Sequence, residues 1–411
     1  MPLLYLFITL IFFDLNIGMA NSGSRVVFIG VLLCLLISKR GKIIISKIAI
    51  FQAIILVMLI ISVTINHGSW KDIVLIAEQL LIYITIYNFV DSDNKAIGVL
   101  KWTAIVGLCL AGLGIIEYLF FEQFQPLLIR FRTIETGLYY ESGYGRISST
   151  FINPIFFSVI LVVTIFISQA FNRIEKRILW KIVWITSVVA LLLTRSEGGI
   201  LAFVLVEILL NLKIIRNFFI KYSIVWKLVV IFGVVAVLLY AFTSGIDRKF
   251  LVSIFTARVY AWTASIRIFA HNILLGCGLG NFDSSFRLYA YEFIKGYYFT
   301  KYAPHSDFFS MLANGGLLTV FPFIGMVIYE IKISCLSLLG IDTIGDRKKI
   351  IIVACAFTII YFSVHRIIDD FYYSYRVITL VNMLIAILER LYDGRMISME
   401  NGQSLFKERI R

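Results

Sequence analysis

The chain has 411 residues, of which 60% are hydrophobic and only 15% charged, with a formal net charge of +13. Soluble globular domains sit nearer half apolar and a quarter charged, so this composition argues against that class. Cys34, Cys109, Cys277, Cys335 and Cys355 are odd in number and scattered, which speaks against a disulfide framework and a zinc site. In so apolar a chain the positive charge reads as membrane orientation and attraction to anionic headgroups, not as nucleic-acid binding.

The apolar residues fall in blocks of about 20, the length that crosses ~30 Å of hydrocarbon as a helix. A backbone in lipid must satisfy its own polar groups, so the blocks are expected to be helices. Pro2 to Met19 lacks a basic leader and a small-residue cleavage site and reads as the first span. In order, the spans are 2–19, 24–38, 48–65, 73–90, 97–120, 151–170, 178–194, 199–216, 224–243, 306–330, 349–366 and 375–391. The expected architecture is therefore an all-α polytopic membrane protein of about 12 helices in a single domain, residues 1–391, with a charged cytoplasmic tail over 392–411 that should be mobile.

Segments after even-numbered spans, together with the tail, hold 23 of the 38 Lys and Arg residues, which puts both termini in the cytoplasm. The other 15 lie mostly in two long extracytoplasmic loops, 121–150 and 244–305, the second between spans nine and ten. The cytoplasmic set is Lys-rich (14 Lys, 9 Arg) and the outer set Arg-rich (11 Arg, 4 Lys). Arg forks two hydrogen bonds onto a phosphate or carboxylate, so the outer face is where chemistry is expected. His67, His271, His305 and His365 fall on or near the same face.

Five stretches there bear chemistry-capable groups. Gly145 to Pro154, with Arg146, Ser148, Ser149, Thr150 and Asn153, reads either as an anion contact or as a snorkelling Arg before a polar helix start. Thr194-Arg195-Ser196-Glu197-Gly198-Gly199 is a tight turn between spans. Its charges either pair locally or face water. Ala257 to Arg267, around Arg258 and Trp262, has the spacing of an amphipathic helix. His271 to Phe282 follows, with glycines at 276, 278 and 280. That spacing is wrong for a dinucleotide loop, and a turn packed on the membrane domain is expected. Arg287 and the aromatics from Tyr289 to Tyr302 suit either sugar faces or an interfacial belt.

Pro304-His305-Ser306-Asp307 enters the tenth span with Asn314-Gly315-Gly316 beyond it, and a His at such a junction can act as a base near neutral pH. His365-Arg366-Ile367-Ile368-Asp369-Asp370 reads equally as a structural pair network or as a lining of the substrate path.

In this order the pieces resemble the O-antigen polymerase and O-antigen ligase family of bacterial polysaccharide assembly. The resemblance covers about 140–330 and rests on 146–154, 194–199, Arg258 to Trp262 with 274–282, and His305-Ser306 with Gly315-Gly316. It implies a GT-C-like glycosyltransferase at the periplasmic face of the bacterial inner membrane. It implies an undecaprenyl-pyrophosphate-linked oligosaccharide donor, membrane lipid around the site, a chain-length regulator protein as a partner, and no metal or cofactor.

The catalytic positions carried over are His305, which would activate the acceptor hydroxyl, and Arg258. Arg146, Arg195, Arg267, Arg287 and Arg366 are the expected pyrophosphate and glycan contacts. Members often have Ser-Arg in the short turn where this chain has Ser196-Glu197, so the role of Arg195 is open. The expected activity is polymerisation of lipid-linked repeat units. A ligase moving glycan to the lipid A core is the alternative within the family, and a lipid-linked oligosaccharide flippase the alternative outside it.

Overall fold

The computed structural model describes residues 1–13, 22–39, 42–128, 146–151, 153–210, 248–289, 303–339, 341 and 344–408. Their regular elements are all helices, with no strand among the described residues. In chain order the helices are α1 (Pro2–Phe13), α2 (Ser22–Ser38), α3 (Lys47–Asn66), α4 (Trp70–Phe89), α5 (Asp93–Leu119), α6 (Phe121–Leu128) and α7 (Pro154–Glu175). Then follow α8 (Ile178–Thr194), α9 (Glu197–Leu210), α10 (Arg248–His271), α11 (Phe282–Tyr289), α12 (Asp307–Leu339), α13 (Asp346–Ile368) and α14 (Tyr375–Glu408).

Six of them are long and apolar enough to cross a membrane: α3, α4, α5, α7, α12 and α13. Helices α1, α2 and α8 are apolar but shorter, and α14 carries Arg376 in its first turn and Glu389 and Arg390 about four turns in. The ninth expected span, 224–243, lies outside the described residues. Two expectations change. The first long loop begins with a helix, α6, and α14 runs on to Glu408 with no break at the expected start of the tail.

Local chemistry sets the helix ends. Ser46 and Ser69 cap α3 and α4 by accepting from Ala49 N and Asp72 N. Asn153 caps α7 by accepting from Ile155 N at 2.8 Å, with Pro154 at the first helical position, where no N–H is needed. Arg195 ends α8 in the left-handed region, φ 50°, and turns the chain into α9.

Helix α7 packs against α5, α8, α9 and α13. Helices in lipid gain little from apolar burial against one another, so close approach through small residues matters more. A Cβ on Gly107 of α5 would lie 2.0 Å from the Thr164 hydroxyl of α7, and one on Gly199 of α9 would lie 2.4 Å from the Ser158 hydroxyl.

Helix α12 is two helices joined at Gly316, whose φ of 64° and ψ of −162° break the spiral. Asp307 and Glu330, 23 residues apart, both bind the guanidinium of Arg366, at 3.1 and 3.2 Å. A straight helix would hold them about 34 Å apart. The chain must therefore fold back at Gly316, making a hairpin with legs 307–315 and 317–339. The expected tenth span, 306–330, is thus not one straight helix.

The turn 272–281 fills the break. Cys277 N and Gly278 N donate to Ala313 O and Asn314 O, at 2.8 and 2.9 Å. Leu317 N and Leu318 N donate to Ile273 O and Leu274 O, at 2.8 and 3.2 Å. The last carbonyls of one leg and the first amides of the other are satisfied by one loop. This needs backbone on backbone. A Cβ on Gly276 would sit 2.5 Å from Ala313 O, one on Gly316 would sit 2.5 Å from the Leu274 carbonyl, and both residues have φ of +64°. The expectation of a turn packed on the membrane domain holds, and α3 anchors it through Ser62 and Asn66, whose side chains donate to Leu275 O and Gly276 O.

Candidate active site

Asp369, in the loop after α13, is the centre of the first charged network. Its Oδ1 accepts from Arg258 Nη2 at 3.1 Å, and its Oδ2 lies 3.0 Å from His365 Nε2. The other ring nitrogen of His365 lies 2.8 Å from the Tyr361 hydroxyl. The chain Tyr361–His365–Asp369–Arg258 thus runs from a fully buried phenol to a guanidinium whose side chain is 21% exposed. One carboxylate holds the guanidinium by one of its nitrogens and leaves donors to spare.

The short turn of the second motif meets the same place. A Cβ on Gly198 would lie 2.5 Å from Asp369 Oδ2 and 3.4 Å from His365 Nε2. Its glycine therefore makes room for Asp369, while Arg195 and Glu197 on either side of the buried Ser196 are exposed.

His305 stands beside this network. Trp262, one turn along α10 from Arg258, donates its Nε1–H to His305 O at 3.4 Å and stacks on Phe309, with ring centroids 5.3 Å apart. Burial pushes the His305 imidazole below its ordinary value. The Asp369 carboxylate pulls it up, the Arg258 guanidinium pushes it down, and burial prevails. The ring is therefore neutral near pH 7 and able to take a proton.

The second network lies behind the first. Asp307 Oδ2 accepts from Arg366 Nε, and its Oδ1 accepts from Phe371 N and Tyr372 N at 2.8 and 3.1 Å. Arg366 Nη1 reaches Glu330, and its guanidinium lies 5.0 and 4.7 Å from the ring centres of Phe323 and Phe362. Asp307 and Glu330 are almost fully buried, and Arg366 is 7% exposed. Burial first, and then the nearby Asp307 charge, pushes Asp370 well above the ordinary carboxylate value.

The structure thus brings together Arg258, His305 and the 365–369 motif, which includes Arg366, and the other expected contacts have partners or surroundings of their own. Arg146 Nε donates to Thr194 O at 3.0 Å, and Glu117 accepts from Ser148 N and Ser149 N at 3.0 and 2.7 Å. Arg146 therefore joins the first motif to the second turn. Arg267 is half-buried on α10, and Arg287 pairs with Asp283 on the exposed side of α11. Of the aromatic run only Tyr289 is described, stacked on His271 with ring centroids 4.1 Å apart. Two acidic residues within α4 and α5 are engaged as well, Glu78 by Arg25 and Glu117 by backbone amides.

Sequence reading passed over Glu330 and Glu389, carboxylates buried within helices, and Tyr361, whose hydroxyl reads as one more core aromatic. It quoted Asp369 without singling it out. The only sequence signal for Asp369 was its place four residues after His365, one helical turn on.

Residues 182–324 match the family model described as O-antigen ligase (Wzy_C). The chain carries an O-antigen ligase family segment. This is the family that the motifs resemble. The segment contains the Arg195 turn, Arg258, the glycine turn, His305, Asp307 and Gly316. Glu330, His365, Arg366 and Asp369 lie beyond it, so the site closes only when the next helix and loop pack against the O-antigen ligase segment. No curated protein matches the chain.

Proposed function

We propose that this protein is a membrane glycosyltransferase that moves a glycan from a polyprenyl-pyrophosphate carrier to a hydroxyl acceptor at the extracytoplasmic face of a bacterial inner membrane. The observation that carries the reading is Arg258 and His305 standing around one carboxylate, Asp369, inside and beside the matched segment. Arg258 supplies positive charge for the leaving pyrophosphate, where negative charge accumulates in the transition state. His305, neutral and half-buried, takes the proton of the acceptor hydroxyl as it attacks the anomeric carbon. The sugar–phosphate bond breaks, the new glycosidic bond forms, and the pyrophosphate departs with both bonding electrons. Asp369 orients Arg258 and stabilises the imidazolium that results.

Arg195 and Arg267 are proposed to contact glycan or the outer phosphate, whereas Arg146 and Arg287 are engaged by Thr194 O and Asp283. The reaction is proposed to be polymerisation of undecaprenyl-linked repeat units, without a metal and with a chain-length regulator as partner. A second reading, from the name of the matched family, is a ligase that moves finished glycan onto the lipid A core.

The deciding experiment is deletion of the gene, with surface polysaccharide run on a gel and the carrier pool analysed alongside. Single repeat units on the core mean polymerase. Long chains stranded on the carrier mean ligase. An unchanged pattern in both overturns the glycosyltransferase reading.

A further inference from the structure

We propose that Arg366 is a positioning residue: by bridging Asp307 to Glu330 it closes the open end of the α12 hairpin and sets where His305 stands. This rests on His305 being the base.

The first leg, 307–315, is a lever about 13 Å long. Its far end is locked at Gly316, where the 272–281 turn caps both legs through backbone bonds. Its near end carries His305, two residues before Asp307. That end has few ties. The Trp262 bond to His305 O is long at 3.4 Å, and Ser306 Oγ accepts from Phe309 N only at 3.5 Å. Within the leg, Ser310 N donates to Ser306 O at 2.9 Å, and the short contacts from outside the leg converge on Asp307: one from Arg366 and two from the backbone of the 369–374 loop. Of these, only Arg366 also grips the second leg, through Glu330.

The guanidinium suits this task. It presents separate N–H groups, Nε to one leg and Nη1 to the other, and the Phe323 and Phe362 rings lie against it. A lysine would offer a single point. Among the described residues, the partners of Arg366 are carboxylates and rings, which separates it from Arg258, whose guanidinium keeps spare donors at a partly exposed surface.

The energetics say why such an arrangement needs a role. A buried triad of charges is weak as a source of stability, because replacing it by well-packed apolar residues is often neutral or stabilising. A clamp that only held the fold would thus be replaceable without loss of activity. A clamp that sets the base would not be.

The test uses the full-length protein in liposomes, with lipid-linked repeat units extracted from the host strain as donor and acceptor. The double variant Arg366→Met/Glu330→Leu leaves Asp307 its two backbone donors. It is expected to melt at or above the wild-type temperature, to lose at least 100-fold in kcat, and to keep donor KM within threefold. A folded double variant within threefold of wild-type kcat overturns the proposal. Should it not fold, Arg366→Lys decides, since it keeps the charge and loses the fork. It is expected to lose at least tenfold in kcat at an unchanged melting temperature, and wild-type kcat there overturns the proposal. If the wild-type protein itself neither lengthens glycan nor releases polyprenyl pyrophosphate, the glycosyl-transfer reading falls and takes this inference with it.

Discussion

Two arginine-bearing junctions lie at helix ends in this protein, and they are built in opposite ways. At the first, Arg146 and Glu117 bind backbone: Arg146 donates to Thr194 O, and Glu117 accepts two amides. At the second, Arg258, Asp369 and His365 bind one another through side chains, beside an imidazole that burial keeps neutral. Backbone partners are present in every state of the fold, so these bonds serve to join two segments. Side-chain partners can be exchanged for a ligand, so the second keeps capacity for one. An arginine at a membrane surface is ambiguous in sequence, and what its partner is made of separates architecture from chemistry.

Arg258→Ala tests this contrast most strongly. Its expected effect is a loss on the order of 10³ in turnover with the protein still inserted, the scale of removing a group that meets developing charge. Chain growth on a polysaccharide gel and the amount of protein in membranes read it out. Gly316→Ala strikes the frame instead. Its Cβ would meet the Leu274 carbonyl at 2.5 Å with φ at +64°, so a stability loss of roughly 3 kcal/mol is expected from thermal unfolding in detergent. An unshifted melting curve would mean that the apex is not locked.

Arg146→Ala should lower turnover only about tenfold, through loss of one charge-assisted bond to Thr194 O, worth about 1.5–3 kcal/mol. A loss as deep as that of Arg258→Ala would erase the distinction between the junctions. Asp369→Asn sharpens it through pH. A protonated imidazole cannot take a proton, so the rate falls as pH drops through the His305 value, which lies below the ordinary figure of about 6.5. Asp369 raises that value, so its neutral replacement should move the acid limb of the profile to still lower pH. A limb that stays put would place the titrating group elsewhere. Arg287→Ala should change turnover less than twofold, because its guanidinium is held by Asp283 on an exposed helix face.

Much of the frame was legible. The apolar blocks 48–65, 73–90 and 349–366 became α3, α4 and α13 within a few residues, and the amphipathic spacing after Ala257 marked the part of α10 that carries Arg258. The site was legible in pieces. His305, Arg258 and the 365–370 stretch were each singled out, but nothing linear ties Arg258 to Asp369 across 111 residues. The hairpin was hidden for a different reason. A helix that folds back on itself keeps the same apolar periodicity on both legs, so 306–330 reads as one span. The glycines that reveal the reversal sit in two separate stretches. Glu330 was passed over because a lone carboxylate in an apolar run shows no partner until Arg366 arrives from the next helix.

That order of arrival has a consequence for synthesis. Asp307 and Glu330 leave the ribosome before Arg366, with 36 residues separating the last two. At about 5–20 residues per second the wait lasts several seconds. During it, the membrane insertion machinery holds a helical hairpin with two carboxylates and no cation to meet them. Release into lipid before α13 emerges would strand both acids, so the hairpin and α13 are best inserted as one three-helix unit.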